Sequence, residues 1–165
     1  MNNQAWAEAY AALEKPLYNV VYRWLWHEED ARDVVQEAFL RAWKKRADIH
    51  AEGFRSLLYR IALNLASNRR RQRKLWSMVT LAHWRQPTTD STEQHAIESG
   101  IREAILSLTE EHRTVLMLTE YAGMNHTEIA DIMNIQPGTV GSRRHRALSR
   151  LKILLQKQGL EYEVD

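Results

Sequence analysis

Cysteine is absent from this 165-residue chain, which excludes disulfides and thiolate metal centres within it. No apolar run approaches the roughly 20 residues that a bilayer-spanning helix requires. The opening MNNQAWAEAY lacks the charged-then-apolar order of an export signal. A cytoplasmic protein without membrane insertion is expected. There is no glycine-rich phosphate loop, and the seven histidines form neither HExxH nor another i, i+4 metal pair. His95 with Glu98 comes nearest, and a chance surface pair accounts for it more simply. Neither catalysis nor a metal or cofactor is expected. Internal repeats and low-complexity tracts are also missing.

What is present is enough apolar content, 44% of residues, for compact cores in one ordinary domain or two small helical ones. Charge is distributed unevenly. The whole chain carries only +2, yet Arg41 to Lys74 holds eleven basic and two acidic residues, and Val140 to Lys157 holds six basic and no acidic ones. Two dense cationic zones on a nearly neutral chain point to two polyanion contacts, because phosphate binding depends on local charge density.

The segment NHTEIADIMNIQPGTVGSRRHRALSRLKILL, Asn125 to Leu155, reads as helix, tight turn and helix. Asn125 and Glu128 have the spacing of a capping box. Ile129, Ala130 and Met133 form an inward stripe. Asn134 tolerates the left-handed conformation of a helix exit, and Pro137 suits the first turn of the next helix. In that helix Val140, Ala147, Leu148, Leu151, Leu154 and Leu155 recur at helical spacing, which leaves Thr139, Ser142, Arg143 and Arg146 outward. A hydroxyl and guanidinium face fits phosphates and base edges. An ordinary amphipathic pair with a solvated basic side is the plain alternative, and the charge distribution weighs against it.

In the N-terminal half, spacing predicts helices on either side of Pro16 between Trp6 and Leu25. A third, capped by Asp30, presents Ala31, Val34, Val35, Ala38, Phe39 and Ala42 on one face. Its opposite face carries Asp33, Glu37, Leu40 and Lys44. After a polar loop from Arg46 to Gly53, a fourth helix begins near Phe54 with Leu57, Leu58, Ile61 and Leu65 inward. Along its edge lie Arg60, Asn64, Ser67 and Arg71 as one polar ridge, ahead of RRRQRK. A run of arginines is commonly a solvated helix end, but amide, hydroxyl and guanidinium groups on one ridge also suit bases and phosphates. The stretch RQPTTDSTEQ has linker composition. The segment before it, Trp76, Met78, Val79, Leu81 and Trp84, either prolongs the fourth helix or docks on a partner. Helices then follow over Ile97 to Leu108 and from a Thr109 cap through Leu118, with Gly123 closing the latter. The fold class is all-α, with two small helical domains: residues 1–75, a linker at 76–96, and 97–165.

Two stretches, EEDARDVVQEAFLRAW and FRSLLYRIALNLASNRRR, together resemble the second conserved region of extracytoplasmic-function sigma factors. The stretch from LSLTEEHRTVLMLTEYAGMNHTEIADIM to NIQPGTVGSRRHRALSRL resembles their fourth region. The matches cover roughly three quarters of the chain in the family's order, which is far more specific than one short motif. The resemblance implies a factor that binds core RNA polymerase and directs it to promoter DNA. Asp33, Gln36, Glu37 and Leu40 correspond to the helix that docks on polymerase. Arg46, Arg60, Asn64, Ser67, Asn68 and Arg71 correspond to the surface that meets the −10 element and holds its opened strand. Gln136, Thr139, Ser142, Arg143 and Arg146 correspond to the reader of the −35 duplex. An anti-sigma partner is implied as well. Gly141 stands where relatives commonly have a basic or polar residue, and Arg144 where they are often apolar, so the base preference is not carried over.

A stand-alone regulator would share the helix-turn-helix and bind paired half-sites as a dimer. The Asn64 and arginine ridge together with DVVQEAFLRAW argues against it, and competition for core polymerase distinguishes the two.

Overall fold

The computed structural model describes residues 2–46, 51–79 and 93–159. Among them seven helices occur and no strand: α1 (Asn3–Leu25), α2 (Glu28–Lys44), α3 (Ala51–Val79), α4 (Glu93–Ser107), α5 (Glu110–Glu120), α6 (His126–Met133) and α7 (Pro137–Lys157). The expected polar loop at 47–50 and the linker stretch at 80–92 lie outside the described residues.

Helices α1 to α3 form one bundle. The two helices expected around Pro16 are a single one, with the proline inside it. Proline removes one backbone hydrogen bond from a helix interior, but Leu17, Val20, Val21 and Trp24 immediately follow and are essentially fully buried. Their burial, at about 1.5–3 kcal/mol for each large side chain, outweighs the loss. Trp26 ends α1 in the left-handed region at φ 52°.

Asp30 does not cap α2 as the sequence suggests. His27 holds that position, its Nδ1 accepting from the Asp30 amide at 3.2 Å. Asp30 lies within the first turn, buried, and its carboxylate turns to α3, where Arg73 pairs with it at 2.7 Å. The expected inner face of α2 is buried at all six positions.

Helix α3 begins at Ala51, earlier than the Phe54 start expected, so residues 51–53 belong to the helix rather than to the loop. Its buried apolar positions are Phe54, Leu58, Tyr59, Ala62, Leu63 and Ala66, whereas Leu57, Ile61 and Leu65 are only partly covered. The stripe differs from the expected one because α3 is packed by α1 and α2 and also by α6 from the other half. Of the alternatives left open for Trp76, helical extension is observed through Val79; Leu75 and Trp76 stand exposed on it.

Helices α4 to α7 form the second bundle. Thr109 caps α5 by accepting from the His112 amide, and Gly123 reverses the chain at φ 60°, a conformation that costs glycine nothing. Asn125 and Glu128 complete the capping box, Asn134 exits α6 at φ 54°, and Pro137 opens α7. The packed stripe of α7 is narrower than its leucine spacing suggests: Val140 and Ala147 are fully buried, but Leu148 is exposed.

The two bundles pack together, α1 against α4 and α5, and α3 against α6, over a continuous apolar core. Trp24 Nε1 donates to Thr114 Oγ1 at 3.2 Å across the junction. Beside it Arg113, buried, donates to the carbonyls of Ile105, Leu106 and Leu108 at 2.8–3.1 Å and lies 4.7 Å from the Trp24 ring. A buried guanidinium is tolerable when fixed carbonyl dipoles replace its water.

Candidate nucleic-acid interface

The outer face of α2 is the first of three surfaces. Asp33, Gln36 and Leu40 are exposed, and Glu37 is half-buried. Leu40 has 51% of its surface in solvent although both residues before it, Ala38 and Phe39, are buried. The carboxylates are not bare: Arg41 holds Glu37 at 2.7 Å, and Arg69 approaches Asp33 at 3.9 Å. These residues share an open groove with Leu65, Asn68 and Gln72 of α3. Asn68, which the family resemblance assigns with the ridge to the −10 surface, borders this α2 groove.

The ridge on α3 is the second surface. Arg60, Asn64, Ser67 and Arg71 are brought together as the spacing requires, and they line a cleft whose other walls come from α5, the end of α6 with the turn after it, and Arg143 of α7. Arg60, Ser67 and Arg71 already have partners. Arg60 donates to the carbonyls of Asp131 and Ile132 at the end of α6. Ser67, only 8% exposed, donates to Glu110 Oε2 at 2.6 Å and accepts from Arg71 at 2.9 Å. Arg46 lies apart from the ridge, its guanidinium 3.8 Å from the Trp43 ring centre and bonded to the Trp43 carbonyl.

The exposed side of α7 and its preceding turn form the third. Gln136, Ser142 and Arg146 are exposed and Thr139 is partly so. Arg143 is more covered and pairs with Glu111 at 3.0 Å. Arg144, at the position where relatives are often apolar, is gripped by Glu120 through two contacts of 2.8 and 3.0 Å. A side chain at position 141 would meet the His126 imidazole, whose Cε1 lies 3.4 Å from the place a Cβ would take.

Several residues in these contacts were not singled out by sequence. Arg55 of α3 pairs with Glu128 at 2.9 Å and donates to the Ala122 carbonyl at 3.0 Å. Arg70 donates to the Leu106 carbonyl at 2.8 Å; burial holds its guanidinium below the usual arginine value, while Glu110 acts in the opposite direction. Glu110 and Glu111 read as ordinary acidic residues of a first helical turn, which favours them through the helix dipole alone. Nothing in that local pattern reveals that Glu110 reaches α3 of the other bundle or that Glu111 reaches α7 of its own.

Among the described residues, no group of three or more His, Asp or Glu side chains has metal-holding geometry, and no helix is long and apolar enough to cross a membrane.

Comparison with known proteins matches the two bundles separately. The family description Sigma-70 region 2 covers residues 9–75, and Sigma-70, region 4 covers residues 99–151. The ECF RNA polymerase sigma factor SigL of Mycobacterium tuberculosis is 32% identical over 168 residues, spanning 93% of this chain and 95% of that protein. SigW of Bacillus subtilis is 30% identical over 169 residues, spanning 92% and 89%. Among solved structures, CnrH in complex with the cytosolic domain of CnrY superposes with a TM-score of 0.74 at 24% identity, over 94% of this chain and 90% of that one. The sigma factor RpoE with the anti-sigma factor NepR from Bartonella quintana gives 0.71 at 20% identity, over 91% and 96%. These two share the fold. With both sigma regions present in order and relatives matched along nearly their whole length, the chain belongs to the extracytoplasmic-function sigma factors, which direct promoter-specific initiation by RNA polymerase.

Proposed function

We propose that the three surfaces divide the work of initiation. The α2 face of Asp33, Gln36, Glu37 and Leu40 docks on core polymerase. The ridge of Arg60, Asn64, Ser67 and Arg71 meets the −10 element and holds its opened strand, with Arg46 and Asn68 reaching it from outside the ridge. Gln136, Thr139, Ser142, Arg143 and Arg146 read the −35 element as duplex. The division fits the two contact modes required: a helix enters a major groove, whereas a melted strand needs polar and stacking groups that capture bases outside the duplex. The observation that carries the docking assignment is Leu40. A large apolar side chain half in solvent, between arginine-laced carboxylates and directly after two buried positions, belongs to a contact that another molecule completes.

Residues 1–75 and 97–165 act as the two modules and 76–96 as their connection, so that weak contacts to separated promoter elements combine through effective concentration once polymerase fixes their spacing. The chain works in the cytoplasm, performs no catalysis of its own and is held in check by an anti-sigma protein; solved relatives bound to CnrY and to NepR support that last element.

Run-off transcription with purified core polymerase on a genomic fragment library tests the reading. Discrete transcripts that depend on the added chain are expected, together with competition against the primary sigma factor for core enzyme. Failure of holoenzyme to form would remove the proposal.

A further inference from the structure

We infer that His126, the first residue of α6, donates a hydrogen bond to a phosphate of the −35 duplex and so stands in for a side chain that the recognition helix lacks at position 141. This rests on the reading of α7 as the −35 helix. Positions on α7 advance by about 100° per residue, so Gly138 and Gly141, three apart, share one flank of its first two turns. Neither carries a side chain. A Cβ at 138 would meet no described atom within 4 Å, whereas one at 141 would meet the His126 ring, with Cε1 at 3.4 Å and Nδ1 at 3.7 Å. The imidazole therefore lies on bare helix backbone by its Cε1 and Nδ1 edge, and Nε2 stands farther out. His126 is exposed, and among the described residues its ring has no hydrogen-bond or ion-pair partner.

The opposite flank of the same face is equipped differently. Arg146, five residues beyond Gly141 and so about 140° around the helix, is exposed. A helix seated in a major groove has a phosphate backbone on either side, and contacts to phosphate fix its register there. Arg146 serves one side. On the Gly141 side, the next basic residue of α7, Arg144, is committed to Glu120 by contacts of 2.8 and 3.0 Å. His145 is exposed but lies a full turn farther along the axis. His126 thus brings a donor from α6 to the beginning of α7, the end of a recognition helix that goes deepest into the groove. Glycine at 141 admits it, because the ring rests where a larger side chain would stand. An interior glycine weakens a helix relative to alanine, and a contact made possible by its bareness gives that loss a function.

The test binds holoenzyme, assembled with the full-length chain, to a promoter fragment recovered by run-off transcription and to the same fragment with single-base changes across its −35 box. His126→Phe keeps a ring over Gly141 but removes both nitrogens. It is expected to weaken binding about tenfold, as loss of one hydrogen bond to a charged group entails. The factor should be the same on every −35 variant, because a phosphate contact carries no sequence information. His126→Ala should lose as much, and His126→Gln, which retains an N–H donor, should lose less. Melting followed by circular dichroism should be unchanged in all three, since the position is exposed. Wild-type affinity in His126→Phe overturns the inference, because the ring would then only pack. So does a loss that tracks one base pair, which would make the contact a base contact. Arg146→Ala separates the two readings: weakened binding there beside normal binding by His126→Phe removes this inference alone, whereas normal binding by both removes the assignment of α7 to the −35 element as well.

Discussion

At the scale of single residues, neighbouring arginines of α7 have been given different work by their partners. Arg146 is exposed on the recognition face, while Arg144 is committed to Glu120 through two contacts. Each phosphate neutralised on duplex DNA contributes about 0.9 to the slope of log affinity against log salt. Arg146→Ala should therefore lower the slope for a −35 duplex by about one, and Arg144→Ala should leave it nearly unchanged, as fluorescence anisotropy across a salt series would show. Tyr59 offers a test of burial. It is wholly enclosed, and burial raises its phenol above the ordinary 10.0, with the Arg55 guanidinium acting in the opposite direction. A folded value above the unfolded one means that the stabilisation is complete below about pH 10 and is lost as pH rises through the raised value. Urea midpoints should fall from pH 10 upward in the wild type, and Tyr59→Phe should flatten that fall; an equal fall in both would detach it from Tyr59.

Elements show why some of the fold was legible in the chain and some was not. The turn of the helix-turn-helix is written in local chemistry: the Asn125 and Glu128 box, the left-handed Asn134 and Pro137 at the first helical position were each readable from residue type and spacing, and each is observed. Asn125→Ala should cost about 1 kcal/mol of stability, as capping residues do, measured by urea unfolding; no loss would mean that tertiary packing alone holds α6. Where an element's character comes from distant residues, local reading fell short. Pro16 looked like a helix start, yet packing of the following residues carries α1 through it. Asp30 looked like a cap, yet Arg73, far along the chain, claims its carboxylate. The inward stripe of α3 was misplaced because α6 covers a side of that helix that no local period announces. For the candidate site, the ridge and the recognition face were legible as groups, because helical spacing alone gathers them. The ridge's engagement with Glu110 and the end of α6 was not, since it depends on how two bundles meet, and the pairing of Arg143 with Glu111 depends on how α5 packs against α7.

Across the whole molecule, the α2 face and the junction between the bundles lie on different sides of the first bundle, so docking and fold should separate by mutation. Glu37→Arg with Leu40→Ala should weaken holoenzyme formation by at least about tenfold, or about 1.4 kcal/mol. Thermal stability should change little, since an exposed leucine and a half-exposed carboxylate contribute little to the core. Co-purification with core polymerase alongside circular dichroism checks both parts; a collapsed spectrum would show that Leu40 is structural after all.

Helix α3, 29 residues long, spans about 43 Å at 1.5 Å per residue. Leu65, Asn68 and Gln72 border the groove beside α2, while Arg60, Asn64, Ser67 and Arg71 border the cleft, and at 100° per residue these two rows stand about a third of a turn apart on one rod. A rod cannot change that angle without unwinding. Whatever seats the groove therefore also sets the heading of the ridge, much as turning a key's bow turns its bit. Because the two rows interleave along the chain, inserting one residue after Asn64 would turn Ser67 and Arg71 about 100° away from Arg60 and Asn64 and break the ridge while the groove residues beyond it stay in mutual register.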